Sequence, residues 1–142
     1  MKQQNYKNHP QLVPGYHFVT LLLVLALLIG SVVNLLNTSK DNLYSASLIC
    51  LVAVVIGLVA FYARSFALKA QDRAIRAEEN FRHFLLTNKP LDTRLTLSQI
   101  IALRFASDEE MPVLALKAAE QGMSSKAIKQ SVKRWRADHN RV

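Results

Sequence analysis

Two long uncharged segments dominate the first half of the chain. Residues 16–36 read YHFVTLLLVLALLIGSVVNLL, and residues 43–63 read LYSASLICLVAVVIGLVAFYA. Each has about the 20 residues that a helix needs to cross the hydrocarbon core of a bilayer. The first is also longer than the apolar region of a cleaved signal peptide, which has about 7–15 residues. Residues 37–42 form a short connection, so the pattern predicts a two-span transmembrane helical hairpin.

The pattern changes after residue 63, where charged residues of both signs enter at helical spacing. No glycine lies between Gly57 and Gly122, and no proline lies between Pro14 and Pro90. The second span is therefore predicted to continue into a cytoplasmic amphipathic helix over residues 64–87, called the stalk segment below. Its charges are interpreted as a solvated face supported by pairs four residues apart, Asp72 with Arg76 and Glu78 with Arg82. Its opposite stripe comprises Ala63, Phe66, Ala70, Ala74, Ala77, Phe81 and Phe84.

An alternative interpretation treats the charged face as a docking surface for another protein. The candidate protein-contact residues are Gln71, Asp72, Arg73, Arg76, Glu78 and Glu79, with Arg104 and Asp108 from the following segment.

Residues 88–142, called the tail below, carry the signals of several short helices. Thr96 and Gln99 have capping-box spacing, as do Ser107 and Glu110. Gly122 is a typical helix stop, after which Ser124 or Ser125 should cap a last helix to about Asp138. The sequence thus predicts an all-α protein: two spans, the stalk segment and a small helical C-terminal module.

Small residues recur along one face of the second span. Ala46, Cys50, Ala53, Gly57 and Ala60 follow each other at spacings of four and three. Such a face lets membrane helices approach closely. It could pack on the first span, where Ala26 and Gly30 offer a matching patch, or it could form a homo-oligomer interface.

Charge adds orientation and possible partners to this architecture. The net charge is +8, yet the connection between the spans carries a single basic residue, Lys40. Lys2 and Lys7 precede the first span, and Arg64, Lys69, Arg73 and Arg76 follow the second. The rule that cytoplasmic flanks are basic puts both termini, including residues 1–15, in the cytoplasm and residues 37–42 outside.

The predicted last helix is strongly basic, and two kinds of partner compete for it. Anionic lipid headgroups are the first, with contacts from Lys126, Lys129, Lys133, Arg134 and Arg136, and Arg141 adds to the same charge. Nucleic acid is the second and less favoured partner, through a helix-turn-helix over residues 114–135.

The sequence offers little chemistry. His9, His17, His83 and His139 are scattered, and Cys50 is the single cysteine. We find no metal-ligand motif, no nucleophile with a base, no phosphate loop and no dinucleotide fingerprint. The protein is therefore predicted not to be an enzyme and to need no cofactor or metal.

Three segments together resemble a bacterial family known only as domain of unknown function 6526. They are LKAQDRAIRAEENFR (68–82), IALRFASDEEMP (101–112) and IKQSVKRWRADHNRV (128–142). The resemblance spans the whole chain and implies a small two-span protein of the bacterial inner membrane. It implies no activity, cofactor or ligand, although some members are described as transporter permeases. This chain differs at Ala74, Ala77 and Asn80, where bulkier or charged residues are expected.

The resulting functional prediction is an integral membrane protein that acts through protein contacts. It would be a homo-oligomer or an accessory subunit of a larger membrane complex. A membrane-tethered nucleic-acid binder and a small component of a transporter remain as alternatives.

Overall fold

The computed structural model of the 142-residue chain describes residues 4–6, 8 and 13–138. Lys2, Lys7, His9, His139 and Arg141, which the sequence analysis used, lie outside these described residues. Within the described part the protein is all-α and has no strand. Its helices are a π-helical turn Gly15–Thr20, α1 Leu21–Asn37, a 3-10 turn Lys40–Asn42, α2 Leu43–Thr87, α3 Leu97–Leu103, α4 Met111–Gln121 and α5 Ser125–Ser131.

The described residues form two compact units. One, the apolar unit, covers residues 13–67, and the other, the polar unit, joins the residues around Gln4 with residues 68–138. The polar unit thus includes most of the stalk segment together with the tail. Each unit is described by itself below.

The apolar unit contains two helical stretches that are long and apolar enough to cross a membrane. The first is Gly15–Asn37, and the second is the apolar part of the stretch Lys40–Thr87. Most of their large aliphatic and aromatic side chains are exposed. A helix that is apolar on all sides is typical of one surrounded by other apolar groups, whether protein or lipid.

The small-residue seam of the second stretch lies against the first. Ala46 and Ala53 are fully buried, and a methyl group added at Gly57 would lie 3.5 Å from Val24 Cγ1. The Tyr16 hydroxyl donates a hydrogen bond to the Ala60 carbonyl oxygen at 2.5 Å. These contacts place the seam in packing within one chain.

The matching patch expected on the first stretch has a different position. Ala26 and Gly30 are exposed, and nothing lies within 4 Å of a methyl group added at Gly30. The buried residue of α1 is Ser31, whose hydroxyl returns to the Leu28 carbonyl oxygen at 2.9 Å. The hydroxyl satisfies its own hydrogen-bonding need within the helix, which lets Ser31 act as a small packing residue.

Helix α2 runs unbroken from Leu43 to Thr87, as the sequence predicted. It ends at Asn88, which has a positive φ of 58° and donates its N–H to the Phe84 carbonyl oxygen at 2.8 Å. Asparagine tolerates this left-handed geometry better than most residues, and Pro90 prevents the helix from resuming.

The tail forms a core of its own around α3, α4 and α5. Leu103, Phe105, Met111 and Ile128 are its largest fully buried side chains. The predicted capping box at Thr96 and Gln99 is confirmed, with both reciprocal hydrogen bonds present. The predicted stop at Gly122, with φ 58°, and the Ser124 cap of α5 are confirmed as well.

The prediction of a last helix reaching Asp138 is wrong, because α5 ends at Ser131. The chain then becomes extended, and Trp135 forms an isolated antiparallel bridge with Ala106. The Arg136 N–H donates to the Phe105 carbonyl oxygen at 2.9 Å, and the Glu110 carboxylate accepts the N–H groups of Lys133 and Arg134, each at 3.2 Å. These distant partners replace the hydrogen bonds that a helix would have supplied.

The second predicted capping box is half formed for the same reason. The Ser107 hydroxyl accepts the Glu110 N–H at 3.4 Å, but the Glu110 carboxylate turns to Lys133 and Arg134. Helix α4 begins at Met111, which places Pro112 in its first turn, where proline is tolerated.

Candidate functional site

The polar unit brings together the three sequence segments on which the family resemblance rests. Glu79 and Arg82 come from the stalk segment, Asp108 follows α3, and Arg136 lies in the extended segment after α5. We call these four residues the arginine–carboxylate cluster.

Arg82 is the centre of the cluster, and all three nitrogens of its guanidinium group make polar contacts. Its Nη1 lies 2.9 Å from Glu79 Oε2, and its Nη2 lies 2.6 Å from Asp108 Oδ1. Nε also donates to Asp108 Oδ1 at 2.7 Å, and Nη2 donates to the Ala106 carbonyl oxygen at 2.8 Å. The planar guanidinium fork suits such multiple charge-assisted hydrogen bonds.

Glu79 is the buried acid of the cluster, with only 6% of its side chain exposed. Its second oxygen, Oε1, lies 3.5 Å from Arg136 Nη1. A carboxylate removed from water is costly unless charged partners compensate for it. Two arginines supply that compensation here and connect the stalk segment to the tail.

A second ion pair in the polar unit has one buried partner. Arg104 has 7% of its side chain exposed, and its Nε lies 3.2 Å from Asp138 Oδ2. The side-chain amide of Gln4 receives the Asp138 N–H at 2.8 Å and donates to the Asp138 carbonyl oxygen at 3.3 Å. The described part of the N-terminus is thereby bound to the end of the tail.

Aromatic packing reinforces the same region. The rings of Phe105 and Trp135 lie 4.6 Å apart between centroids, and the Arg104 guanidinium lies 4.7 Å from the Phe105 centroid. The Lys129 ammonium approaches the same ring at 5.7 Å. Lys129, expected to contact anionic lipid, is thus half-buried beside an aromatic ring.

The predicted stalk face is divided by this packing. Ile75 and Glu79 are buried, Gln71 and Asp72 are half-buried, and Arg73, Arg76 and Glu78 are exposed. The predicted pairing of Glu78 with Arg82 is wrong, since Arg82 pairs with Glu79 at a spacing of three. The side of the helix that carries Glu79 and Arg82 therefore packs on the tail, and the alanine–phenylalanine stripe is exposed.

The basic residues of the tail do not share one helix face. Lys126 and Lys129 lie on α5, whereas Lys133, Arg134 and Arg136 follow it in extended backbone. Helix α5 has seven residues, so it is only about 10 Å long. In the helix-turn-helix alternative the second helix is therefore α5, which carries Lys126 and Lys129 and ends before Lys133.

One perturbed acid lies in the loop between α2 and α3. Asp92 accepts hydrogen bonds from Arg94 through both carboxylate oxygens, at 2.6–3.2 Å. The side-chain hydrogen bond from Arg94 holds the pKa of Asp92 at about 2, below its ordinary value of 3.8. Across the described residues, no three histidine, cysteine or acidic side chains are grouped to hold a metal ion.

Sequence reasoning missed Arg82, Glu110 and Gln4 as organising residues. The available signal for Arg82 was Ile75, an aliphatic residue on the charged side of the stalk segment. Such a residue indicates that the side is packed against another part of the protein. Glu110 and Gln4 act on backbone groups far away in sequence, and nothing local identifies such partners.

The chain matches a family of unknown function, DUF6526, over residues 1–142. It belongs to this family. Searches of curated proteins and of solved structures each found no match. The segments that carry the resemblance to DUF6526 include all four residues of the arginine–carboxylate cluster, so they meet in space although they are separated along the chain.

Proposed function

We propose that this DUF6526 protein is a non-enzymatic integral membrane protein that acts through protein–protein contacts. It would be anchored in the bacterial inner membrane by an antiparallel hairpin, with both termini in the cytoplasm. It would work as a homo-oligomer or as an accessory subunit of a membrane complex.

The supporting observation is the exposed apolar stripe of the stalk segment together with its neighbour Leu85. Phe81 and Leu85 are 62% and 68% exposed, and Phe84 is also exposed. Phe84 lies on the side of α2 opposite Glu79 and Arg82, which bind the tail. Phe81 and Leu85 lie at the edge of that packed side, beside Arg82 and Asp108. Large aromatic side chains left in water are unfavourable, and such residues are enriched at protein interfaces.

The arginine–carboxylate cluster supports this proposal because it fixes the orientation of the helix. Because Arg82 and Glu79 bind the tail, they hold one face of the stalk segment inside the unit and present the other face outward. A helix oriented in this way can offer its apolar stripe to a partner at small conformational cost.

Native mass spectrometry of the full-length protein in mild detergent tests the proposal. We expect an oligomer or a stoichiometric complex, and we expect Phe81→Gln/Phe84→Gln/Leu85→Gln to reduce it to a monomer. Val113→Gln/Leu116→Gln is the matched control, since it removes exposed apolar side chains from α4. A wild-type protein that runs as a lone monomer, or a stripe variant that keeps its partner, would contradict the proposal.

A further inference from the structure

A groove separates the stalk segment from the loop that precedes α3, within the polar unit. Its volume is about 460 Å³. Leu91, Leu95 and Ile100, all buried, contribute its apolar lining. Arg73 and Arg76, three residues apart on one side of α2, contribute its charge.

These two arginines differ from the others in the unit. Among the described residues, Arg82, Arg94, Arg104, Arg134 and Arg136 each lie within ion-pair distance of a carboxylate. In the same part of the chain, no hydrogen bond or ion pair reaches the guanidinium group of Arg73 or Arg76, although Asp72 is adjacent in sequence. Two neighbouring unpaired guanidinium groups repel each other, and a bound anion would remove that repulsion.

The remaining polar groups of the groove are suited to an anion. The Asn80 side-chain oxygen accepts the Leu91 N–H at 3.0 Å, which leaves the Asn80 amide NH2 group as a donor. Thr93 adds a hydroxyl group to the lining. The one acid in the lining is Asp92, and its charge is compensated by the bidentate contact from Arg94.

We propose that this groove binds a phosphate group, held by Arg73 and Arg76, with the carbon part of the ligand on the apolar lining. Two guanidinium forks can donate several hydrogen bonds to one phosphate dianion, a geometry that arginine favours. The volume accommodates a phosphorylated headgroup or a small phosphate ester. A glycerophosphate group has a phosphate for the two arginines and a carbon skeleton for the rest of the lining. Both acidic phospholipid headgroups and soluble esters contain this group.

The test uses the full-length protein labelled at isoleucine δ1 methyl groups and followed by NMR. Ile100 reports on the groove, and Ile128, fully buried in the tail core, is the internal reference. In zwitterionic micelles the probe is glycerol 3-phosphate. In nanodiscs the probe is phosphatidylglycerol added to phosphatidylcholine.

We expect a saturable shift of the Ile100 methyl signal with Ile128 unmoved. The Arg73→Gln/Arg76→Gln variant should weaken binding at least about tenfold, because it removes charged hydrogen bonds. Arg73→Lys/Arg76→Lys keeps the charge but loses the forks, so it should also bind more weakly than the wild type. Lys117→Gln, which removes one exposed charge from α4, should change affinity less than about twofold.

Each outcome decides the proposal. A shift with glycerol 3-phosphate identifies soluble esters as ligands, and a shift with phosphatidylglycerol alone identifies the lipid headgroup. The proposal is overturned if neither probe gives a saturable shift, if binding persists in Arg73→Gln/Arg76→Gln, or if acetate produces the same shift. An unchanged near-ultraviolet circular dichroism signal from Trp135 confirms that each variant remains folded.

Discussion

Two adjacent acids in the stalk segment show that the surroundings of a carboxylate determine its contribution to stability. Glu78 is exposed, whereas Glu79 is buried between Arg82 and Arg136. A carboxylate in water contributes little through surface ion pairs. A buried carboxylate with two charged partners is costly to alter, since its removal leaves those partners without compensation.

Glu79→Gln should therefore destabilise the polar unit by about 1.5–3 kcal/mol, the usual range for a hydrogen bond to a charged group. Arg82 would keep Asp108, which limits the loss. Thermal unfolding of the full-length protein, followed through the single tryptophan, measures the change. Glu78→Gln is the control and should shift stability by less than about 0.5 kcal/mol. Equal melting temperatures for the two variants would contradict the burial argument.

Asp92 gives a prediction about pH. Its pKa of about 2 lies below the ordinary 3.8 because Arg94 donates to it. A depressed carboxyl pKa means that the contact stabilises the fold above pH 3.8 and is lost as the pH falls through about 2. Both groups are well solvated, so the effect on global stability should be small.

The carboxyl carbon resonance of Asp92, followed against pH in the full-length protein, measures this directly. In Arg94→Gln the midpoint should rise toward 3.8. A midpoint that stays near 2 in the variant would mean that another group lowers the pKa.

Among the elements, those set by local chemistry could be predicted. The unbroken α2 followed from the absence of glycine and proline, and Thr96, Gly122 and Ser124 marked real helix ends. Local rules failed in the segment after Ser131, where Phe105 and Glu110 supply the backbone partners. No spacing rule identifies a partner more than twenty residues away in sequence.

The prediction of which side of the stalk segment is packed failed for a related reason. Helical spacing separates the charged side from the alanine–phenylalanine stripe, but it does not tell which side is buried. The apolar stripe was the natural choice for a packed face. The structure reverses it, because Arg82 finds partners in Asp108 and Ala106 that only the fold brings near.

The extended segment depends on Glu110, and a neighbouring acid supplies the comparison. In Glu110→Ala the N–H groups of Lys133 and Arg134 lose their acceptor, so their hydrogen exchange should accelerate about tenfold or more. In Glu109→Ala the exposed pair with Arg134, at 3.3 Å, and the hydrogen bond from the Ser107 hydroxyl, at 3.0 Å, are lost. Neither uses the N–H groups of Lys133 and Arg134, so their exchange should hardly change. Equal acceleration in both variants would show that Glu110 does not hold the segment.

For the molecule as a whole, the proposed membrane anchoring rests on the apolar unit. Its small-residue seam is occupied by contacts with Tyr16 and Val24, while large apolar side chains cover the outside. Sequence length and composition predicted the two apolar helices. The prediction that Ala26 and Gly30 form the packed side of α1 was wrong, because apolar residues surround α1 on every side. A helix without a polar face gives no periodic signal for its packed side.

The last prediction tests the proposed orientation of the protein in the membrane. Lys40 lies in the connection between the apolar helices, and Lys117 lies in the exposed face of α4. In a Cys50→Ala background, Lys40→Cys should react with a membrane-impermeant maleimide in intact cells, because a connection with little positive charge is expected outside. Lys117→Cys should react only after the membrane is opened. Cys50→Ala alone controls for background labelling, and reaction at position 117 in intact cells would reverse the orientation and place the phosphate groove on the outer side.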